Sequence, residues 1–173
     1  MSRFEAPSAR FRVCRPLRRP HGPVSSGAFT LLELVLVIAI VATLAAIAVP
    51  KYARAICRYR AEMAGRRIVA DLDLVRHNAR FTGSSRTVTF RTAGNRYEIP
   101  DLPDINNPAL PYTVHLGDEP YLAELVSVDF NTTSSVVFDA YGRPDSGGKI
   151  VVRSGQTTQT VLVNADSGEA SLQ

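Results

Sequence analysis

From Leu34 to Val49 the chain runs sixteen residues without a charge, and from Phe29 to Val49 it spans 21 residues with Glu33 as the one charged position. At about 1.5 Å per residue a helix of that length reaches ~31 Å, one bilayer core. Beyond Pro50 the pattern keeps a helical period but becomes amphipathic. Tyr52, Ile56, Tyr59 and Met63 recur at spacings of four, three and four, and Ile68, Leu72, Val75 and Ala79 continue similarly after a one-residue phase change near Ala64-Gly65. This spacing predicts an amphipathic stem, with a bend allowed at the phase change and its apolar stripe packed on a globular domain. A proline either ends a helix or kinks one. Helical periodicity on both sides of Pro50 favours a kink within one helix from about Phe29 to about Phe81.

After Thr82-Gly83 the period changes to two. Arg86-Thr87-Val88-Thr89-Phe90-Arg91 and Arg96-Tyr97-Glu98-Ile99 flank Thr92-Ala93-Gly94-Asn95 and predict a hairpin. Pro100 to Pro111, rich in Pro, Asp and Asn, predicts a loop. Short β segments follow near 112–116, 121–130, 136–139, 149–153, 160–163 and 169–172, with turns at Gly117-Asp118, Gly142-Arg143-Pro144-Asp145, Ser154-Gly155 and Asp166-Ser167-Gly168. The expected fold is α+β, one antiparallel sheet or two small ones against the stem's apolar face. At 173 residues, one modest globular unit with appendages is the prior.

Charge divides along the same boundaries. Residues 1–27 carry six Arg against one acid, 51–80 carry eight basic residues against three acidic, and 81–173 carry six against eleven. The high pI is therefore a property of the leader and stem, and the distal domain that a nucleic-acid partner would meet is acidic. Arginines ahead of an apolar span favour an N-terminus inside and residues 51–173 outside. A secretory signal peptide usually has a shorter apolar region ending at a small-residue cleavage site, whereas Pro50-Lys51-Tyr52 and a basic stem follow this one. Glu33 needs a reason, because an acid in an apolar segment is costly, though its place one turn from the start softens the cost. Cys14 and Cys57 form neither a disulfide framework nor a metal-binding spacing.

Gly27-Ala28-Phe29-Thr30-Leu31-Leu32-Glu33, followed by the apolar run and closed by Ala48-Val49-Pro50, resembles the N-terminal motif of type IV pilins and type II secretion pseudopilins. The resemblance implies a basic prepilin leader over 1–28, cut by a prepilin peptidase between Ala28 and Phe29. It also implies methylation of the new N-terminus at Phe29, and pairing of Glu33 with a neighbouring subunit's N-terminal amine. A Gly usually precedes the cut, so cleavage between Gly27 and Ala28 is the alternative; the spacings from Phe29 to Glu33 and to Pro50 favour the first. Segment 29–49 is then the transmembrane and polymerisation helix, 50–81 the amphipathic stem and 82–173 the β-rich domain. Ile68-Val69-Ala70-Asp71-Leu72 with Val75-Arg76, the strand Val88-Thr89-Phe90, and the meander around Phe138, Gly142, Ile150 to Val152 and Val161 to Gly168 resemble the GspH/FimT type of minor pseudopilin.

Catalytic or ligand-binding constellations are sparse. His21, His77 and His115 form no metal-binding spacing, there is no G-x-S-x-G, and Gly142 to Lys149 fails the phosphate-loop pattern because Gly148 stands where Lys is needed. Asp139, Asp145 and Asp166 lie in turns but build no dense acidic run for Ca²⁺. Neither enzymatic activity nor a cofactor or metal is expected. Arg143, Lys149 and Arg153, with Tyr141 for stacking, are the candidates for DNA contact, against eleven acids in the same domain. The leading expectation is a minor pseudopilin in the inner membrane, single-pass with an extracytoplasmic C-terminal domain, that joins other pseudopilins in a type II secretion pseudopilus or type IV pilus-like filament. The alternative is a minor pilin of a DNA-uptake pilus.

Overall fold

The computed structural model describes residues 29–104 and 107–173. Helix α1, Leu31–Thr82, continues through Pro50, so the proline is not a terminator. Two compact units divide between Val41 and Ala42. In the second unit the C-terminal half of α1 packs on two four-stranded antiparallel sheets. The strands are β1 (Arg86–Arg91), β2 (Arg96–Pro103), β3 (Pro111–His115), β4 (Glu124–Asp129), β5 (Ser135–Phe138), β6 (Gly148–Ser154), β7 (Thr157–Val163) and β8 (Ala170–Leu172). One sheet has the order β3-β2-β1-β5, the other β4-β6-β7-β8. This is the expected α+β architecture, in its two-sheet form.

The β1–β2 hairpin turns through a 3₁₀ segment, Thr92–Gly94, and closes on Asn95 in the left-handed region (φ 47°). Asn95 also joins the sheets, its carbonyl accepting from Leu116 N–H at 2.7 Å and its Oδ1 from Leu125 N–H at 2.9 Å. The core forms where Ile68, Leu72 and Val75 of α1 meet Phe90, Phe138 and Ile150. Phe130 stacks on Phe90 with ring centroids 5.9 Å apart, and a Cβ on Gly148 would overlap the Phe130 ring. The strand alternation read from the sequence is therefore the inward face of each sheet.

Some details differ from expectation, among them β7, which starts at Thr157 rather than near 160. The Pro100–Pro111 loop is shorter, because β2 continues to Pro103 and pairs it with Pro111 after a register shift that absorbs the prolines. The segment expected from 121 becomes strand only at Glu124, since Leu122 turns through positive φ (44°). The stem stripe is also corrected. Tyr52 and Tyr59 are exposed, Ile56 and Met63 only half-buried, and burial begins at Ala61 and proceeds through Ala64, Gly65, Ile68, Leu72, Val75 and Ala79. At about 100° per residue these two sets lie on opposite sides of one helix. The phase change near Gly65 is a change of face within a continuous helix, and Gly65 lies where Leu172 of β8 packs closest.

An acid stands in the buried stripe. Asp71 is 6% exposed, and its Oδ2 accepts hydrogen bonds from Tyr97 Oη at 2.5 Å, Arg67 Nε at 3.0 Å and Tyr112 Oη at 3.1 Å. Arg67 Nη2 also donates to Tyr112 Oη. A buried carboxylate is tolerated only when paired and hydrogen-bonded, and here one oxygen collects a cation from its own helix and hydroxyls from β2 and β3. Burial, then the adjacent Asp71 charge, pushes the Tyr97 and Tyr112 hydroxyls above the ordinary tyrosine range. Burial disfavours the Arg67 charge, but the attraction of Asp71 and Tyr112 outweighs it and raises its pKa.

Removing this acceptor strands two buried hydroxyls, so Asp71→Ala is expected to lower the unfolding free energy of the full chain in detergent by about 3 kcal/mol. Asp71→Asn, which keeps an acceptor, should lower it by less, and a denaturant titration reads both. The raised tyrosine pKa values carry a sign. Their contribution to stability is complete below about pH 10, where the unfolded tyrosines are protonated too, and falls as pH rises, because the unfolded chain ionises first. In a 295 nm absorbance titration, Tyr97 and Tyr112 should stay protonated above the ordinary tyrosine range and titrate only as the fold is lost.

Candidate anchoring and assembly segment

The N-terminal half of α1 has no buried side chain from Leu31 to Ala55. Leu31 and Leu32 are 81% and 78% exposed, and among the described residues α1 alone is long and apolar enough, by length and composition, to cross a membrane. Such a surface is stable in hydrocarbon or against other apolar helices, and is a liability in water. Backbone groups in hydrocarbon must bond within their own segment, which an uninterrupted helix achieves except at Pro50, where residue 46 loses its N–H partner.

The helix start is defined by Thr30. Phe29 and Thr30 lie outside the helix, the Thr30 carbonyl accepts from Leu34 N–H at 3.1 Å, and its Oγ1 accepts from Glu33 N–H at 3.2 Å. Thr30 is thus an N-cap, satisfying one of the donors that a helix start leaves free. Glu33 sits in the first turn, where the helix dipole favours a negative charge, and it is the one acid between Phe29 and Ala61. The Thr30-x-x-Glu33 spacing carried this cap in the sequence, where only the acid drew attention.

Gly27 and Ala28, on which both cleavage alternatives depend, lie outside the described residues; Phe29 is described and 76% exposed. Arg143 is in the turn after β5, while Lys149 and Arg153 point from the outward face of β6. Arg153 is bound to Glu124 at 2.6 Å, and Lys149 stands opposite Asp129 in the β4–β6 ladder, so acids neighbour both. The turn acids are also engaged. Asp139 Oδ1 accepts from Tyr141 N–H (2.9 Å) and Arg143 N–H (2.8 Å), and Asp145 Oδ1 accepts from Val137 N–H (3.1 Å). No group of three or more His, Cys, Asp or Glu able to hold a metal ion occurs among the described residues. Cys57 is half-buried against Gly155 in the β6–β7 turn.

Comparison with known proteins adds the family. No curated protein sequence matches the chain. Among solved structures, the type IV minor pilin FimU of Pseudomonas aeruginosa strain PAO1 is similar at 14% identity, with a TM-score of 0.48 over 67% of this chain and 88% of that one. A family model described as type II transport protein GspH matches residues 64–167, from the point where α1 begins to pack on the sheets to the turn before β8. That span is more than half of the chain, and with a long helix packed on two antiparallel sheets, the chain belongs to the GspH family of minor pseudopilin and pilin subunits, a structural family rather than an enzymatic one.

Proposed function

We propose that the chain is made as a prepilin, cut between Ala28 and Phe29 and methylated at Phe29. Segment 29–49 then anchors it in the inner membrane, with 50–81 as stem and 82–173 as an extracytoplasmic domain. From there it joins other pilin-type subunits in a type II secretion pseudopilus. The observation that carries this reading is the exposed apolar stretch of α1 from Leu31 to Val49, whose one acid, Glu33, sits in the first turn, close behind the expected new N-terminus. In an apolar setting an ammonium and a carboxylate are each costly alone and much less so together, so a neighbour's N-terminal amine is the natural partner for Glu33. Pairing would replace lipid contacts with subunit contacts and set the register of the fibre.

Two experiments test it. The intact mass of the protein recovered from membranes should correspond to a methylated chain starting at Phe29; a chain starting at Ala28 contradicts the register from which Glu33 takes its role. Glu33→Ala should leave membrane insertion and cleavage intact while lowering incorporation into sheared filaments by about tenfold or more, the loss of at least ~1.4 kcal/mol per contact. Incorporation at the wild-type level would remove the assembly role of this carboxylate.

A further inference from the structure

Past the apolar run the chain turns abruptly basic. Lys51, Arg54, Arg58 and Arg60 follow in quick succession, and no acid lies between Glu33 and Glu62. At about 100° per residue Lys51, Arg54 and Arg58 share a sector of about 60° on α1. All three are exposed. Glu62, one turn beyond Arg58, is the first acid that could balance them, yet it is bound to Arg66 at 2.7 Å. None of Lys51, Arg54 and Arg58 forms an ion pair with any described residue. Like charges three and four residues apart on a helix repel, so this stripe costs helix stability until an anion from outside the chain lies beside it.

Its place along the helix says which anion. Lys51, Arg54 and Arg58 stand ~3, ~8 and ~14 Å beyond Val49 along the axis, and the headgroup layer extends roughly 5 to 8 Å beyond the hydrocarbon core of a bilayer. Helical side chains lean toward the helix N-terminus, here back toward the apolar run, and the long stems of Lys and Arg carry their charges further the same way. The first two bases thus reach headgroup phosphates, and Arg58 stays within about a Debye length, ~8 Å, of them. Tyr52, 70% exposed between Lys51 and Arg54, is the residue type that settles at this level of a membrane. Cleavage sharpens the asymmetry. The cut proposed above removes the six Arg of residues 1–27, so every basic side chain flanking the apolar run then lies on the stem side, with Glu33 at the opposite end. A zwitterionic headgroup offers such a stripe no net charge, whereas an anionic one does.

We propose that Lys51, Arg54 and Arg58 form a binding stripe for the phosphodiester headgroups of anionic phospholipids, which seats the base of the stem on the bilayer until assembly withdraws the subunit. The stripe rests on the anchoring reading above. The test uses the full-length chain in vesicles of equal parts phosphatidylglycerol and phosphatidylcholine, with a photoreactive benzoylphenylalanine in place of Tyr52. Three bases near an anionic surface together favour association by about a hundredfold. Adducts with phosphatidylglycerol should therefore exceed those with phosphatidylcholine by about tenfold or more at low salt, and approach equality in about 1 M salt. Lys51→Gln, Arg54→Gln and Arg58→Gln combined should abolish the preference while the chain stays resistant to carbonate extraction. Arg143→Gln, Lys149→Gln and Arg153→Gln, which remove the same charge from the β domain, should leave it unchanged.

An inserted chain that gives equal adducts with the two lipids at low salt overturns the stripe alone. So does a preference that the stem variant retains, or adducts confined to another copy of the chain. A chain that carbonate extracts from the vesicles overturns the anchoring reading and the stripe with it. The salt series on the photoreactive chain decides the matter even where the triple stem variant fails to insert.

Discussion

Helix α1 is apolar on two opposite faces of its stem, and the two sheets bury only one of them. In α1 the face through Ile68, Leu72 and Val75 is covered by the two sheets, while the face through Tyr59, Leu74 and Phe81 stays open. Upstream, from Leu31 to Val49, the helix is apolar except at Glu33 and Thr43, and is buried by none of the described residues. The unsatisfied apolar surface thus grows toward the N-terminus, from one stripe on the stem to the whole circumference of the anchor. Hydrophobic burial is the dominant favourable term in folding and association, so the chain alone is an incomplete structure that lipid or neighbouring subunits must finish.

The packed part of the helix is held by more than apolar contacts. Apolar contacts are non-directional and would tolerate a shift of the helix along the sheets. Asp71 supplies direction. Its Oδ2 draws Arg67, Tyr97 and Tyr112 to one point, with both tyrosines rising from neighbouring strands of one sheet. A sliding helix would part these groups and leave the buried Asp71 carboxylate unpaired, which is costly. At the far end of α1, Arg80 Nε donates to the Tyr141 carbonyl at 2.8 Å, and Gly142, at φ 72°, leaves room for the Arg80 side chain. The stem is thus held at its middle by a buried cluster and at its end by a turn.

Much of this was legible in the sequence, and what was not has physical reasons. Alternation of two located the strands and turns closely, since each sheet has one buried face and a register set by that pattern. Proline misled at Pro100 and Pro103, because a β-bulge accommodates residues that a regular ladder rejects. The stem misled differently. A helical period reports that a helix has an apolar face but not what covers it, and Tyr52 to Met63 repeats as cleanly as Ile68 to Ala79. The Asp71 cluster joins residues 67, 71, 97 and 112, which come together only through the fold, although an acid within an apolar stripe was its visible trace. The exposed apolar run and the place of Glu33 in its first turn were plain from the start, because an uncharged run with one acid near its beginning is a local pattern.

On the proposed filament reading, the outward face of α1, open in the isolated chain, becomes covered when subunits assemble. Hydroxyl-radical footprinting with mass spectrometry compares the full-length chain in detergent with the same chain in sheared filaments. Tyr52, Tyr59, Leu74 and Phe81 are expected to be labelled in the free chain and protected in filaments, while Tyr141, exposed on the β domain, is labelled in both. Equal labelling of the stem residues in the two states would contradict the account.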